Sequence, residues 1–405
     1  MRPLLSYIDP GTGSLLISLL AGIALSLLYS IRGIYYKISS LTGRNLGGKT
    51  SLDFPGQLVF FSEGQTYWRV YQTVLAELIK RKQHFVYLSA DKDDKGLRLQ
   101  SEYAETHYIG GIKQAIVRIN KLKAKLCIMT TPQLDVISLK RSKQVDHYCH
   151  IVHSPTDVHA YKLFAFDYFD SVLCSSPFQI ESLRSLETRR EGRRKKLFET
   201  GCSYYDVFPV ASQKAGEAIL VAPTWGDRTF FKTSGIEILA GLLHGGHQVI
   251  FRPHPQSWIS DKQLMQDVCN QFGEREKFTI DRKVGGEDAI RDSKLMICDI
   301  TSGMVYDMAL AYKKPVVAIQ SDWKNGGYES SNIPGPTTAI KLLKEVGAIV
   351  PAEKIGDIAS IVDIVSSKKV TEEIINRHIF NFQKTGPVAA QQILQLLNQG
   401  KNDAR

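Results

Sequence analysis

The sequence predicts an α/β protein of two Rossmann-like domains, preceded by one N-terminal transmembrane helix. Three observations predict it. From Gln57 onward, short apolar strands alternate with amphipathic helices, the pattern of parallel sheets covered on both faces. Three of the later strands end in turns that carry hydroxyl, guanidinium or imidazole groups, the place where open α/β sheets bind ligands. Ahead of all of them, residues 11–31 are almost wholly apolar and uncharged, and about twenty such residues cross a bilayer's hydrocarbon core as a helix.

The rival reading of that front run is a signal peptide. The run is long for one, and Arg32-Gly-Ile-Tyr-Tyr-Lys37 follows it with no small-residue cleavage site. Tyr29, Tyr35 and Tyr36 suit the membrane interface, and Arg32, Lys37, Arg44 and Lys49 mark the cytoplasmic side. The expectation is a single-pass protein of the cell membrane, anchored by residues 1–37, with its body on the cytoplasmic face. Residues 38–56, rich in Gly, Ser and Thr, read as a linker.

Residues 57–212 read as the first domain, with strands over 58–61, 84–90, 126–129, 148–152 and 171–174. A helix from Thr66 to about Arg81 follows Ser62-Glu63-Gly64, and another opens at Phe178. Residues 213–385 read as the second domain. Its strands begin at Ala218 and Gln248, run over 295–298, and resume after Pro315. A last helix over roughly 388–397 lies in the terminal segment 386–405.

A chain of 405 residues can bury a large core. Its six cysteines are scattered without a Cys-x-x-Cys pair, which argues against a disulfide framework or a zinc site and for a cytosolic body. The formal charge of +10 implies an anionic partner. Much of the excess sits in Arg184, Arg189, Arg190, Arg193, Arg194, Lys195 and Lys196. This run suits an anionic membrane surface or a phosphate-rich substrate, or is simply a solvated helix end. Nucleic acid is disfavoured, because no aromatics interleave with the run and no nucleic-acid-binding motif accompanies it.

Three strand ends carry the candidate chemistry. The first ends in Pro223-Thr224-Trp225, the second in Arg252-Pro253-His254-Pro255, and the third in Asp299-Ile300-Thr301-Ser302-Gly303, where a helix opens. Hydroxyls at a helix mouth, beside unpaired N–H groups and the positive dipole end, suit a phosphate; an ordinary helix cap uses the same residues. Trp225 is either cleft lining or core. In the first domain His153 stands where a strand gives way to a turn, with His150 inside the strand and His159 beyond it.

In order and chemistry these segments resemble the CDP-glycerol glycerophosphotransferase family, the teichoic-acid primases and polymerases, over roughly residues 58–397. That family has a Pro-Thr-Trp strand end, a basic-x-His-Pro strand end and an Asp-Tyr-Ser-Ser turn before its last large helix. Residues 198–208, with Gly201 and Asp206, are similar to its Gly-Tyr-Pro-x-x-Asp turn. The resemblance implies a GT-B architecture, two Rossmann-like domains facing a cleft, with the C-terminal helix packed back near the first domain. It also implies transfer of a polyol phosphate from a CDP-linked donor to a membrane-associated hydroxyl acceptor, with release of CMP. His153 matches the His of the family's His-Gly-Thr-Pro-type motif, although here Ser154 replaces the Gly and Pro155 comes one place early.

On this reading His153, Arg252 and His254 are catalytic. His153 takes the acceptor's proton, and the two strand-end cations stabilise charge on the leaving phosphate. His150 and His159 are alternative bases. Thr224, Trp225, Arg252, His254, Asp299, Thr301, Ser302 and Gly303 bind the donor, Asp299 bracing its turn rather than holding metal. No cofactor or structural metal is expected, beyond a Mg²⁺ loosely held with the donor diphosphate. A GT-B glycosyltransferase using a nucleotide-sugar is the nearest alternative. A binding-only scaffold would explain the anchor and the basic run, but not this cluster at the strand ends.

Overall fold

The computed structural model describes residues 52–155, 158–208, 216–283, 285–320 and 327–399. The anchor over 1–37 and most of the stretch read as linker lie outside the described residues, as do 400–405. Among the described residues no helix is long and apolar enough to cross a membrane.

The first sheet has seven strands: β1 (Asp53–Ser62), β2 (Phe85–Ser89), β3 (Ala104–Tyr108), β4 (Lys123–Met129), β5 (Val145–Ile151), β6 (Ser171–Cys174) and β7 (Lys196–Glu199). The second has six: β8 (Ala218–Ala222), β9 (Val249–Phe251), β10 (Phe278–Ile280), β11 (Ser293–Asp299), β12 (Val316–Ile319) and β13 (Gly347–Val350). Their orders are β3-β2-β1-β4-β5-β6-β7 and β10-β9-β8-β11-β12-β13, every pairing parallel. Both orders reverse direction once, at β1/β4 and at β8/β11, and ligands bind beyond the strand ends at such points.

Burial on both faces explains why the inner strands read as unbroken apolar runs. Along β1, β2 and β4 the side chains alternate. Val59, Phe61, Val86, Leu88, Cys127 and Met129 fill one core layer, and Leu58, Phe60, Phe85, Tyr87, Leu126 and Ile128 fill the other. The second sheet likewise has a core on each face.

Several expectations are corrected. β1 starts at Asp53, inside the stretch read as linker, because Phe54 is buried beside the sheet. The helix expected at Gly303 is a single α-turn, Met304–Tyr306, that widens into a π-turn over Asp307–Ala311, with Tyr312 N donating to Asp307 O at 3.2 Å. The last helix, Thr385–Gln399, takes Gly386 and Pro387 into its first turn, where proline's missing N–H is tolerated. Its residues Ala389, Ala390, Ile393 and Leu396 share a core with Val70, Val74, Leu75 and Leu78 of the helix Trp68–Lys80, so the chain returns to the first domain. Asp206 anchors that return by accepting from Thr385 N at 3.0 Å, Gly386 N at 2.7 Å and Thr73 Oγ1 at 2.9 Å.

Much of the basic run is spent inside the protein. Arg190 bonds Asp167 at 2.7 Å and Glu329, a fully buried carboxylate of the second domain. Arg193 pairs with Asp170 at 2.7 Å, Arg184 with Glu187 at 2.6 Å, and the buried Lys195 with Glu187 at 3.4 Å. Arg189, Arg194 and Lys196 remain on the surface, and Arg193, though paired, is exposed as well.

Candidate active site at the domain seam

The second-domain site is built on Asp299, buried at the end of β11. One carboxylate oxygen accepts from Thr224 N (2.7 Å), Thr224 Oγ1 (2.8 Å) and Thr229 Oγ1 (3.1 Å); the other accepts from Phe230 N (2.8 Å). Asp299 therefore ties the end of β8 to the start of the helix Phe230–His244. Ser302 is also inward: its N–H donates to Asp299 O at 2.9 Å and its side chain is buried near the Cys298 thiol. Thr301 and Gly303 are the exposed members of the turn.

Trp225 is not core. It is 55% exposed, and its ring lies 5.9 Å from the His254 imidazole at 31°. His254 Nδ1 accepts from Gln256 N at 3.1 Å, which leaves Nε2 for a ligand, and partial burial lowers its pKa. Arg252 is more constrained than its motif suggests. Its Nη1 donates to Asp281 at 2.6 Å and to Lys283 O at 3.1 Å. Its Nε lies 3.4 Å, and Met304 Cε 3.5 Å, from where a Cβ on Gly286 would stand. These are ordinary contact distances, and they place Gly286 beside both the Arg252 guanidinium and Met304, the residue after Gly303.

In the first domain His153 follows β5 and lies between two rings. Tyr67 meets it edge-on at 5.4 Å and Tyr161 at 6.0 Å. Its Nδ1 is buried without a hydrogen-bond partner among the described residues, and burial lowers its pKa, favouring the neutral imidazole a base requires. His150 is the weaker candidate. It is fully buried between Phe166 at 4.9 Å and Phe169 at 5.1 Å, and burial, with His153 adding, pushes its pKa down to about 3. His159 is buried in the turn Val158–Ala160.

The two lips meet at residues that sequence reasoning did not single out. Arg69, two places after Tyr67, donates from both Nη atoms to Glu287 Oε1 at 3.0 Å, and Glu287 adjoins Gly286. Beside this bridge Tyr205 donates to Asp307 Oδ1 at 3.0 Å. Only Asp307 left a readable signal, as a lone carboxylate in the apolar run Met-Val-Tyr-Asp-Met-Ala-Leu-Ala. Among the described residues no group of His, Cys, Asp and Glu is arranged to hold a metal ion.

No family model matches the chain, and no curated protein matches it in sequence. Among solved structures, UDP-GlcNAc 2-epimerase from Methanocaldococcus jannaschii superposes with a TM-score of 0.52 at 14% identity, over 85% of this chain and 99% of that one. Another UDP-N-acetylglucosamine 2-epimerase gives 0.50 at 10% identity, over 87% and 97%. The fold is of the GT-B kind. The wall teichoic acid polymerase TagF covers 93% of this chain and 97% of its own at 12% identity, with a TM-score of 0.49. The epimerase superpositions carry the fold assignment; the TagF one, at its lower score, carries none of it. Identities this low establish architecture and leave donor, acceptor and reaction to the site itself.

Proposed function

We propose that the chain is a transferase that moves a polyol phosphate from a CDP-linked donor to a hydroxyl acceptor, with the membrane run at its front holding it near a membrane-associated acceptor. One observation carries this reading: the strand-end turns of both sheets open on one seam, bridged by Arg69 and Glu287. On this reading His153 on one lip serves as the proton acceptor, and the strand-end groups on the other bind phosphate.

In the proposed reaction an acceptor oxygen attacks the distal phosphorus of the donor. The new O–P bond forms as the bridging P–O bond breaks, and CMP leaves with that bridging oxygen. The acceptor's proton passes to His153, which burial keeps neutral and ready to receive it. Charge growing on the CMP phosphate faces Arg252, His254, the Thr301 hydroxyl and the turn at Gly303. A nucleotide-sugar donor is the second reading, since the same groups would hold its diphosphate.

His153→Ala should lower kcat about a hundred- to ten-thousandfold while CDP binding, measured by calorimetry, stays near the wild-type value. Arg252→Ala and Thr301→Ala should weaken CDP binding as well as turnover, because they touch the charged group before and during the reaction. Circular dichroism serves as the control for folding. Full turnover by His153→Ala would remove the base; normal CDP binding by both other variants would remove the donor site.

A further inference from the structure

Tyr161 closes the turn Val158–Ala160 between β5 and β6 and is only 8% exposed. Its backbone is pinned across the domain boundary: its carbonyl accepts from Glu329 N at 2.8 Å, and Lys162 bridges antiparallel to Tyr328. Its ring is wedged edge-on between His153 at 6.0 Å and Phe166 at 4.8 Å. Yet its hydroxyl is buried with no hydrogen-bond partner among the described residues. Thr131 Oγ1, just beyond β4, and His153 Nδ1 share that condition. β4 and β5 are neighbours in the sheet, so Thr131 and His153 follow adjacent strand ends, and the Tyr161 ring lies 6.0 Å from His153; both nitrogens of His150, within β5, are unpartnered too.

An unpaired buried hydroxyl is costly, and phenylalanine would fill the same wedge without that cost. Packing alone therefore does not explain a tyrosine here. The three atoms share one chemistry, since hydroxyls donate and accept and a neutral imidazole nitrogen does either. They sit at the lip assigned above to the acceptor.

We propose that Tyr161 is a specificity-determining residue. Its hydroxyl, with that of Thr131 in support, holds a second oxygen of the acceptor while the reacting hydroxyl faces His153. The inference rests on the acceptor side of the proposed function and is independent of the donor. An alcohol with a single oxygen satisfies one orphan group and leaves the others buried and unpaired, which is how a polar site rejects an analogue that lacks a hydroxyl.

The test uses the full chain with carbon-13-labelled histidines and glycerol as probe. Glycerol should shift the His153 ring signals, assigned by their loss in His153→Gln, and 1-propanol at equal concentration should not. Tyr161→Phe should weaken the glycerol response about tenfold, in line with one lost hydrogen bond. Thr131→Val should weaken it too, and it guards against a folding defect at Tyr161. A wild type that does not respond to glycerol, or a Tyr161→Phe protein that responds as the wild type does, overturns the proposal. Parallel CDP titration separates the two readings. A glycerol response without CDP binding rejects the donor assignment alone, and CDP binding without a glycerol response rejects this inference alone.

Discussion

The Tyr205 hydroxyl donates to Asp307 Oδ1 at 3.0 Å, joining the segment that ends the first domain to the π-turn behind the candidate phosphate-binding turn. Glu287 and its partner Arg69 stand close enough to bear on the same carboxyl.

Burial pushes the Asp307 pKa up to about 7; the Glu287 charge adds to the rise, while Tyr205 and Arg69 oppose it. Between the unfolded carboxylate range, about pH 4, and pH 7 the folded protein holds a proton that the unfolded chain has released. Stability from this group is therefore complete below about pH 4, falls as pH rises to 7, and is level above it. The span is at most about 4 kcal/mol. Asp307→Asn should flatten that slope and gain stability relative to wild type from pH 5 to pH 8. Urea midpoints of both proteins at pH 5, 6.5 and 8 measure the difference, and parallel curves would refute it.

Asp299 gathers four donors from two elements. Asp299→Ala strands the Thr229 hydroxyl and the Phe230 N–H in a buried position, and the two Thr224 donors in a partly buried one, and should cost about 4 kcal/mol. CDP affinity should fall with it, because the Thr224–Trp225 turn loses its brace. A variant that unfolds like wild type in urea would show that water replaces the carboxylate there.

Arg190 and Arg194 belong to one basic run but stand in different surroundings. Arg190→Ala leaves Glu329 buried and uncompensated and should cost about 3–5 kcal/mol. Arg194→Ala, on the surface, should stay within about 0.5 kcal/mol. Thermal unfolding of the two single variants decides it: equal effects would mean that the Arg190 pairs contribute little.

The inner strands were legible because parallel strands covered on both faces leave unbroken apolar runs, as in Leu58-Val-Phe-Phe61. The edges were not. β3 reads Ala-Glu-Thr-His-Tyr and β7 reads Lys-Leu-Phe-Glu, half-exposed sequences that say turn or helix end as readily as strand. β10 and β13 are only three and four residues long. The strand-end motifs named Thr224, Arg252 and Thr301 but not their wiring. That Arg252 is held by Asp281, 29 residues on, follows from β9 and β10 lying side by side. Tyr161 and Tyr67 carry no signal at all in one dimension, since their meaning comes from flanking His153 in space.

The return of Thr385–Gln399 to the helix Trp68–Lys80 also bears on how the protein is made. During synthesis the first domain leaves the ribosome long before its covering helix exists. The apolar surface that Ala389, Ile393 and Leu396 will occupy then stays bare while the whole second domain is translated. The first domain is first in sequence but last to be finished, and a chain cut short before Thr385 would expose a sticky flank on an otherwise formed sheet.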